Sequence, residues 1–192
     1  MTEADWLRGD RLVLPLTATE DEVITFAEAA GFNEGHERRT PTVYERVWII
    51  SGPLYFHYVD NTETGVSYVQ VTGDSARSVE RFTGIARKFF SPRELPDLMT
   101  DVRSAETSDA KAFAVVRLAT GLMSDPPPEA MRLLEEAFGS SDGDIRRAAM
   151  LSALYVDWPF VAPFVRRMHE HDDEETLRQQ AGYFVERNDE AS

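Results

Sequence analysis

The residues able to do chemistry are few: four histidines, many carboxylates and no cysteine. His57 stands two positions after Tyr55 and two before Val59. In an extended chain these three share one face, which sets an imidazole beside an aromatic ring. Such a histidine is a candidate general base when a partner lies within hydrogen-bond reach. With Trp48 on the preceding apolar run, His57 and Tyr55 make up a candidate site for a small ligand or substrate. A second cluster, His169-Glu170-His171-Asp172-Asp173-Glu174-Glu175, has ligand types suited to a cation. Its spacing is poor, because histidines at i and i+2 of a helix point about 200° apart. It also lacks the His-Glu-x-x-His pattern, so no metal site is assigned. His36, between Glu34 and Glu37, reads as part of a polar loop. There is no glycine-rich phosphate loop and no nucleophile elbow. The absence of cysteine excludes disulfides, thiolate catalysis and sulfur-ligated zinc. No cofactor is expected.

Charge narrows the partners. The 192 residues carry 34 acidic and 20 basic side chains, a formal net charge of −14. Phosphate neutralisation needs Lys and Arg, so this balance argues against nucleic acid. A local patch of Arg77, Arg81, Arg87 and Lys88 would be the exception to look for. An anionic surface also speeds encounter with a basic protein. Met1 to Trp6 shows neither the basic nor the apolar part of a secretory signal, and no stretch approaches the roughly 20 apolar residues of a membrane span. A cytoplasmic protein that does not enter the membrane is expected.

Two kinds of pattern position these residues. Over residues 1–100, short apolar and β-branched runs alternate with helical periodicity. Leu12 to Leu16 reads as a first strand. Thr19 and Glu22 form a capping box for a helix that carries Val23, Phe26 and Ala27 and stops at Gly31. Residues 33–41 read as a loop. Val43 to Ile50, Leu54 to Val59 and Gly65 to Val71 read as strands of an antiparallel meander. A second helix starts near Ser75, with Val79, Phe82, Ala86 and Phe89 as its apolar stripe. The order β-α-β-β-β-α predicts an α+β domain with helices on one sheet face. Residues 101–107 read as a linker or bend, and five helical segments follow, with strand signals gone.

Those segments show a weak internal period. Ile145-Arg146-Arg147-Ala148-Ala149 aligns with Leu177-Arg178-Gln179-Gln180-Ala181, and more loosely with Ala110-Lys111-Ala112-Phe113-Ala114. The pattern resembles helix-pair repeats of the HEAT type, in their short bacterial form, over roughly residues 108–187. The resemblance implies a C-terminal helical array at 104–188 that acts as a scaffold for another macromolecule. It further suggests a non-catalytic, immunity-like inhibitor or adaptor with an acidic face. Glu135, Glu136, Glu170, Asp172 and Asp173 are the candidate contact residues toward a basic protein. The alternative is a ligand-binding or enzymatic site centred on His57, Tyr55 and Trp48.

Overall fold

A computed structural model describes residues 6–122 and 125–189. The chain divides into two units, with the boundary between Glu94 and Leu95. It is an α+β protein: an antiparallel sheet with two helices, then an all-helical part.

In the first unit, β1 (Leu7–Arg8) and β2 (Leu12–Val13) both pair with β6 (Val66–Gly73). The sheet continues through β5 (Leu54–Asn61) and β4 (Val43–Ile49) to the edge strand β3 (Asn33–Arg39). Every pairing is antiparallel. Two of these strands depart from the sequence expectation. β1 is two residues long, too short for any periodic signal. β3 replaces the expected loop, and all seven of its residues are exposed. With neither face buried it shows no apolar alternation. Backbone pairing to β4 holds it instead, with a bulge between Glu34 and Glu37.

Helix α1 (Glu20–Ala29) opens on the expected capping box: Glu22 N–H donates to Thr19 Oγ1 and Thr19 N–H to Glu22 Oε2. It ends just before Gly31, whose φ of +72° suits a residue without a side chain. Helix α2 (Ala76–Phe90) is capped by Ser75. Its buried line is Val79, Thr83, Ala86 and Phe90. Phe89, expected in that stripe, is 54% exposed, because the line follows i, i+4, i+7, i+11 and leaves Phe89 beside it. Gly9 lies between β1 and β2 under α2. A Cβ there would come within 2.4 Å of Thr83 Oγ1, so the strand meets the helix only because the side chain is missing.

The core lies between these helices and one sheet face. Val23, Phe26 and Ala27 of α1 and Val79, Ala86 and Phe90 of α2 cover Tyr44, Trp48, Leu54, Phe56, Tyr58, Val69 and Val71. Its centre is aromatic: Phe26 meets Phe32, Phe56 and Phe90 with ring centroids 5.0–5.8 Å apart. Edge and tilted geometries of this kind add about 1 kcal/mol per pair to the burial of apolar surface.

The second unit comprises α3 (Leu95–Ser104), α4 (Ser108–Gly121), α5 (Pro128–Phe138), α6 (Gly143–Leu151), α7 (Trp158–His171) and α8 (Glu175–Asp189). A 3₁₀ turn at Ser152–Leu154 follows α6. The helices pack as consecutive pairs, α3 on α4, α5 on α6 and α7 on α8. Pairs meet through α3–α5–α7 on one side and α4–α6 on the other. The unit thus begins ahead of residues 101–107, which were expected as a linker or bend and whose first four residues are instead the last turn of α3. Leu98 and Val102 are buried, and α3 packs on α4. Small residues sit at the contacts: Ala119, Ala130, Ala149 and Ala181 are fully buried. They let helix axes approach while Leu118, Leu134, Met150 and Leu177 fill the grooves. No helix among the described residues is long and apolar enough to cross a membrane.

Candidate functional site

In the helical unit the helix starts decide where side chains go. Thr107 caps α4 by accepting from Ala110 N–H, and Asp142 caps α6 by accepting from Asp144 and Ile145 N–H. Asp172 Oδ1 accepts from Glu174 N–H just ahead of α8. These caps also bind the neighbouring pair. Ser108 Oγ donates to Asp142 at 2.6 Å. Arg146 reaches Asp172 through two bonds of 2.8 and 3.0 Å, Glu174 at 3.0 Å and the Ser140 carbonyl at 3.1 Å. Arg147 donates to Gln180 at 3.3 Å. Polar links therefore run from the start of α4 to the cap of α6, and from α6 to the start of α8 and to α8 itself.

The same geometry sorts the acidic residues expected at a partner surface. Asp172 is turned inward, its side chain only 4% exposed against an Arg146 side chain 12% exposed. Burial opposes its ionisation, but the Arg146 hydrogen bonds win and hold the carboxyl below its usual range. It is fixed in the junction by Arg146, and it also lines the groove beside Asp173. Glu136 is exposed and bridges to Arg132 on its own helix at 2.7 Å. Glu170 is exposed beside His171. Glu135 and Asp173 line a groove of about 470 Å³ whose floor includes Phe138, Phe164 and Met168. Phe138 and Phe164 stack at 5.3 Å. Arg146, Arg167 and His171 complete the walls. His169 turns away and bonds the Arg178 carbonyl at 3.0 Å. Among the described residues no group of His, Asp and Glu is placed to hold a metal ion.

The sheet unit holds a second cluster, on the face opposite α1 and α2. Register places His57 opposite Val47 on β4 and Gln70 on β6. Glu45, Val59 and Tyr68 lie one row along, and Tyr55 and Thr72 one row the other way. His57 Nδ1 lies 3.1 Å from Glu45 Oε1 and Nε2 lies 2.8 Å from Thr72 Oγ1. The His57 hydrogen bond holds the Glu45 carboxyl below its usual range against the opposing effect of burial. An ionised carboxylate only accepts, so in the neutral ring Nδ1 carries the proton and the Thr72 hydroxyl donates to Nε2. Arg38 pairs with the other Glu45 oxygen at 3.1 Å. Tyr55 stacks on Trp6 at 4.6 Å with rings 12° from parallel. Trp48, the third residue expected here, belongs to the other face and is buried in the aromatic core. Strand alternation explains this: Trp48 pairs with Phe56, one residue off His57.

Around His57 the face forms a depression of about 460 Å³, lined by Trp6, Arg8, Arg38, Glu45, Val59, Tyr68, Gln70 and Thr72. Most of these partners are invisible without strand register. Arg38 was hidden because β3 carries no strand pattern, and Arg8 because β1 is so short.

Two remaining clusters are structural. Arg46 is surrounded by Glu20, Glu34 and Glu37. Beside it Tyr44 donates to Glu20 at 2.8 Å, and burial together with that carboxylate pushes its phenol up to about 12. Of the residues a basic patch would need, Arg87 is taken by Glu94 and Asp10, and Arg81 lies over the Phe82 ring. The chain matches no family model, and no curated protein or solved structure is significantly similar to it.

Proposed function

We propose that the C-terminal unit is a short HEAT-like array that binds a protein partner without catalysis, as an immunity-like inhibitor or adaptor in the cytosol. The observation that carries this reading is the groove between Glu135 and Asp173, with its stacked Phe138–Phe164 floor. An apolar floor with charged rims is the anatomy of an interface hot spot, where a buried anchor supplies affinity and the rim supplies orientation. Packing in consecutive pairs, with polar links between copies, supports the array reading. From Leu95 onward 19 acidic residues face 10 basic ones, so a basic partner meets a favourable field.

The test is a photo-activated cross-linker at Glu135 in the chain expressed in its native cell. A discrete cross-linked protein, lost with Phe138→Asp and retained with His57→Ala, is the expected result. No cross-link from either position 135 or position 173 refutes the reading.

A further inference from the structure

The depression around His57 is independent of the helical groove and has the features of a small-molecule site. We propose that it binds a small organic monoanion with a flat aromatic body, a carboxylate of the benzoate or arylacetate kind. Three observations converge on that chemistry.

The first is charge. Glu45 is already committed to Arg38 and to the His57 N–H, so its negative charge is balanced inside the wall. Arg8 is exposed, lies directly across the β1–β6 ladder from Thr72 and has no partner among the described residues. A chain of net charge −14 thus presents at this point a guanidinium with no counter-charge bonded to it among the described residues, and its fork matches a carboxylate. The second is the set of oriented polar groups behind it. Gln70, which lines the depression, donates one side-chain N–H to the Gly9 carbonyl at 2.8 Å, a bond that orients its amide and leaves the oxygen able to accept. Thr72 is more than nine-tenths buried and fixed by His57. The third is shape. Trp6, steadied by its stack on Tyr55, and Tyr68 supply flat apolar walls. The volume of about 460 Å³ lies in the range of small-ligand pockets.

The roles follow. Arg8 takes the carboxylate, Trp6 and Tyr68 flank the ring, and Gln70 accepts from a ring hydroxyl or amine where one is present. The Glu45–His57–Thr72 chain positions the floor; it holds the imidazole in one tautomer and orients the hydroxyl.

Benzoate, phenylacetate and indole-3-acetate are titrated into the full chain by calorimetry, with benzamide and inorganic phosphate as controls. The His57 ring nitrogens are followed by NMR at the same time. At least one acid is expected to bind and shift the His57 signals, with benzamide and phosphate at least tenfold weaker. Arg8→Gln is expected to weaken the acid about tenfold, the loss of one charge-assisted pair, while leaving residual benzamide binding unchanged. Because Arg8 is exposed, Arg8→Gln is expected to leave the unfolding midpoint unchanged, and Asp173→Asn is expected to have no effect on acid binding. Absence of binding by all three acids at millimolar concentration overturns the proposal. So does binding that ignores Arg8→Gln, or phosphate binding as tightly as the aromatic acids.

Discussion

Before Glu94 the Glu45–His57–Thr72 network runs across a sheet face, whereas from Leu95 onward the Ser108–Asp142 and Arg146–Asp172 links lie at the junctions between helix pairs. The difference follows from how each architecture satisfies its backbone. Strands pair their N–H and C=O groups along their whole length, so side chains such as His57, Glu45 and Thr72 are free to bond one another across the ladder. Helices leave their first N–H groups open, and the residues that close them, Asp142 and Asp172, are at hand to bind the next pair. The cores differ in the same way. The sheet unit is held by large rings, the helical unit by alanines that bring backbones together. A polar network in the first case becomes a wall of a depression; in the second it becomes a staple.

The sharpest way to break this contrast is to remove one ring. Phe56 is 1% exposed amid Phe26, Phe32, Trp48 and Phe90. Phe56→Ala is expected to cost about 4 kcal/mol in denaturant unfolding of the sheet unit. Next comes the staple. Asp172→Ala leaves Arg146 mostly buried with the half-exposed Glu174 and the Ser140 carbonyl as its remaining hydrogen-bond partners, and a loss of about 3 kcal/mol is expected. The pair Arg146→Met with Asp172→Leu is expected to recover most of that loss, since the ions hold register more than they add stability. If the double variant is as unstable as the single, the junction depends on charge itself.

Acid titration sharpens the same point. The Asp172 carboxyl is held below its unfolded value of about 3.9. Its contribution is therefore complete above that pH and is lost as pH falls through the lower folded value. The stability difference between the parent chain and Asp172→Asn is expected to shrink below about pH 4, as measured by unfolding at a series of pH values. Smaller still is Thr19→Ala, which removes the hydroxyl that accepts from Glu22 N–H while leaving the backbone N–H of residue 19 to donate to Glu22, and is expected to cost about 1 kcal/mol by thermal or denaturant unfolding. Glu136→Ala breaks an exposed i,i+4 pair and is expected to move stability by less than about 0.5 kcal/mol in the same measurement.

Legibility in the sequence followed local signals. The capping box at Thr19, the helix start near Ser75 and the three central strands could be read directly, because hydroxyl-acid spacing and two-residue alternation are properties of neighbouring residues. β3 could not, since a strand exposed on both faces has no apolar period. The His57 site was half legible. Its central residue and Tyr55 stood out, but Trp48 was assigned to it although alternation sends that ring into the core. Glu45, Thr72 and Gln70 come from pairings 12–15 residues distant in sequence, which no local pattern encodes. Asp172 looked like one more surface charge in an acidic run; only the 26-residue step back to Arg146 makes it internal.

The outer strand β3 has a consequence for how the protein survives crowding. A sheet margin with open backbone groups invites a foreign strand to zip on, and from there templated growth. Here that margin carries Glu34, His36, Glu37, Arg38 and Arg39 and is bent by its bulge. An approaching strand meets hydrated ions of both signs on a kinked ribbon, and the sheet ends there.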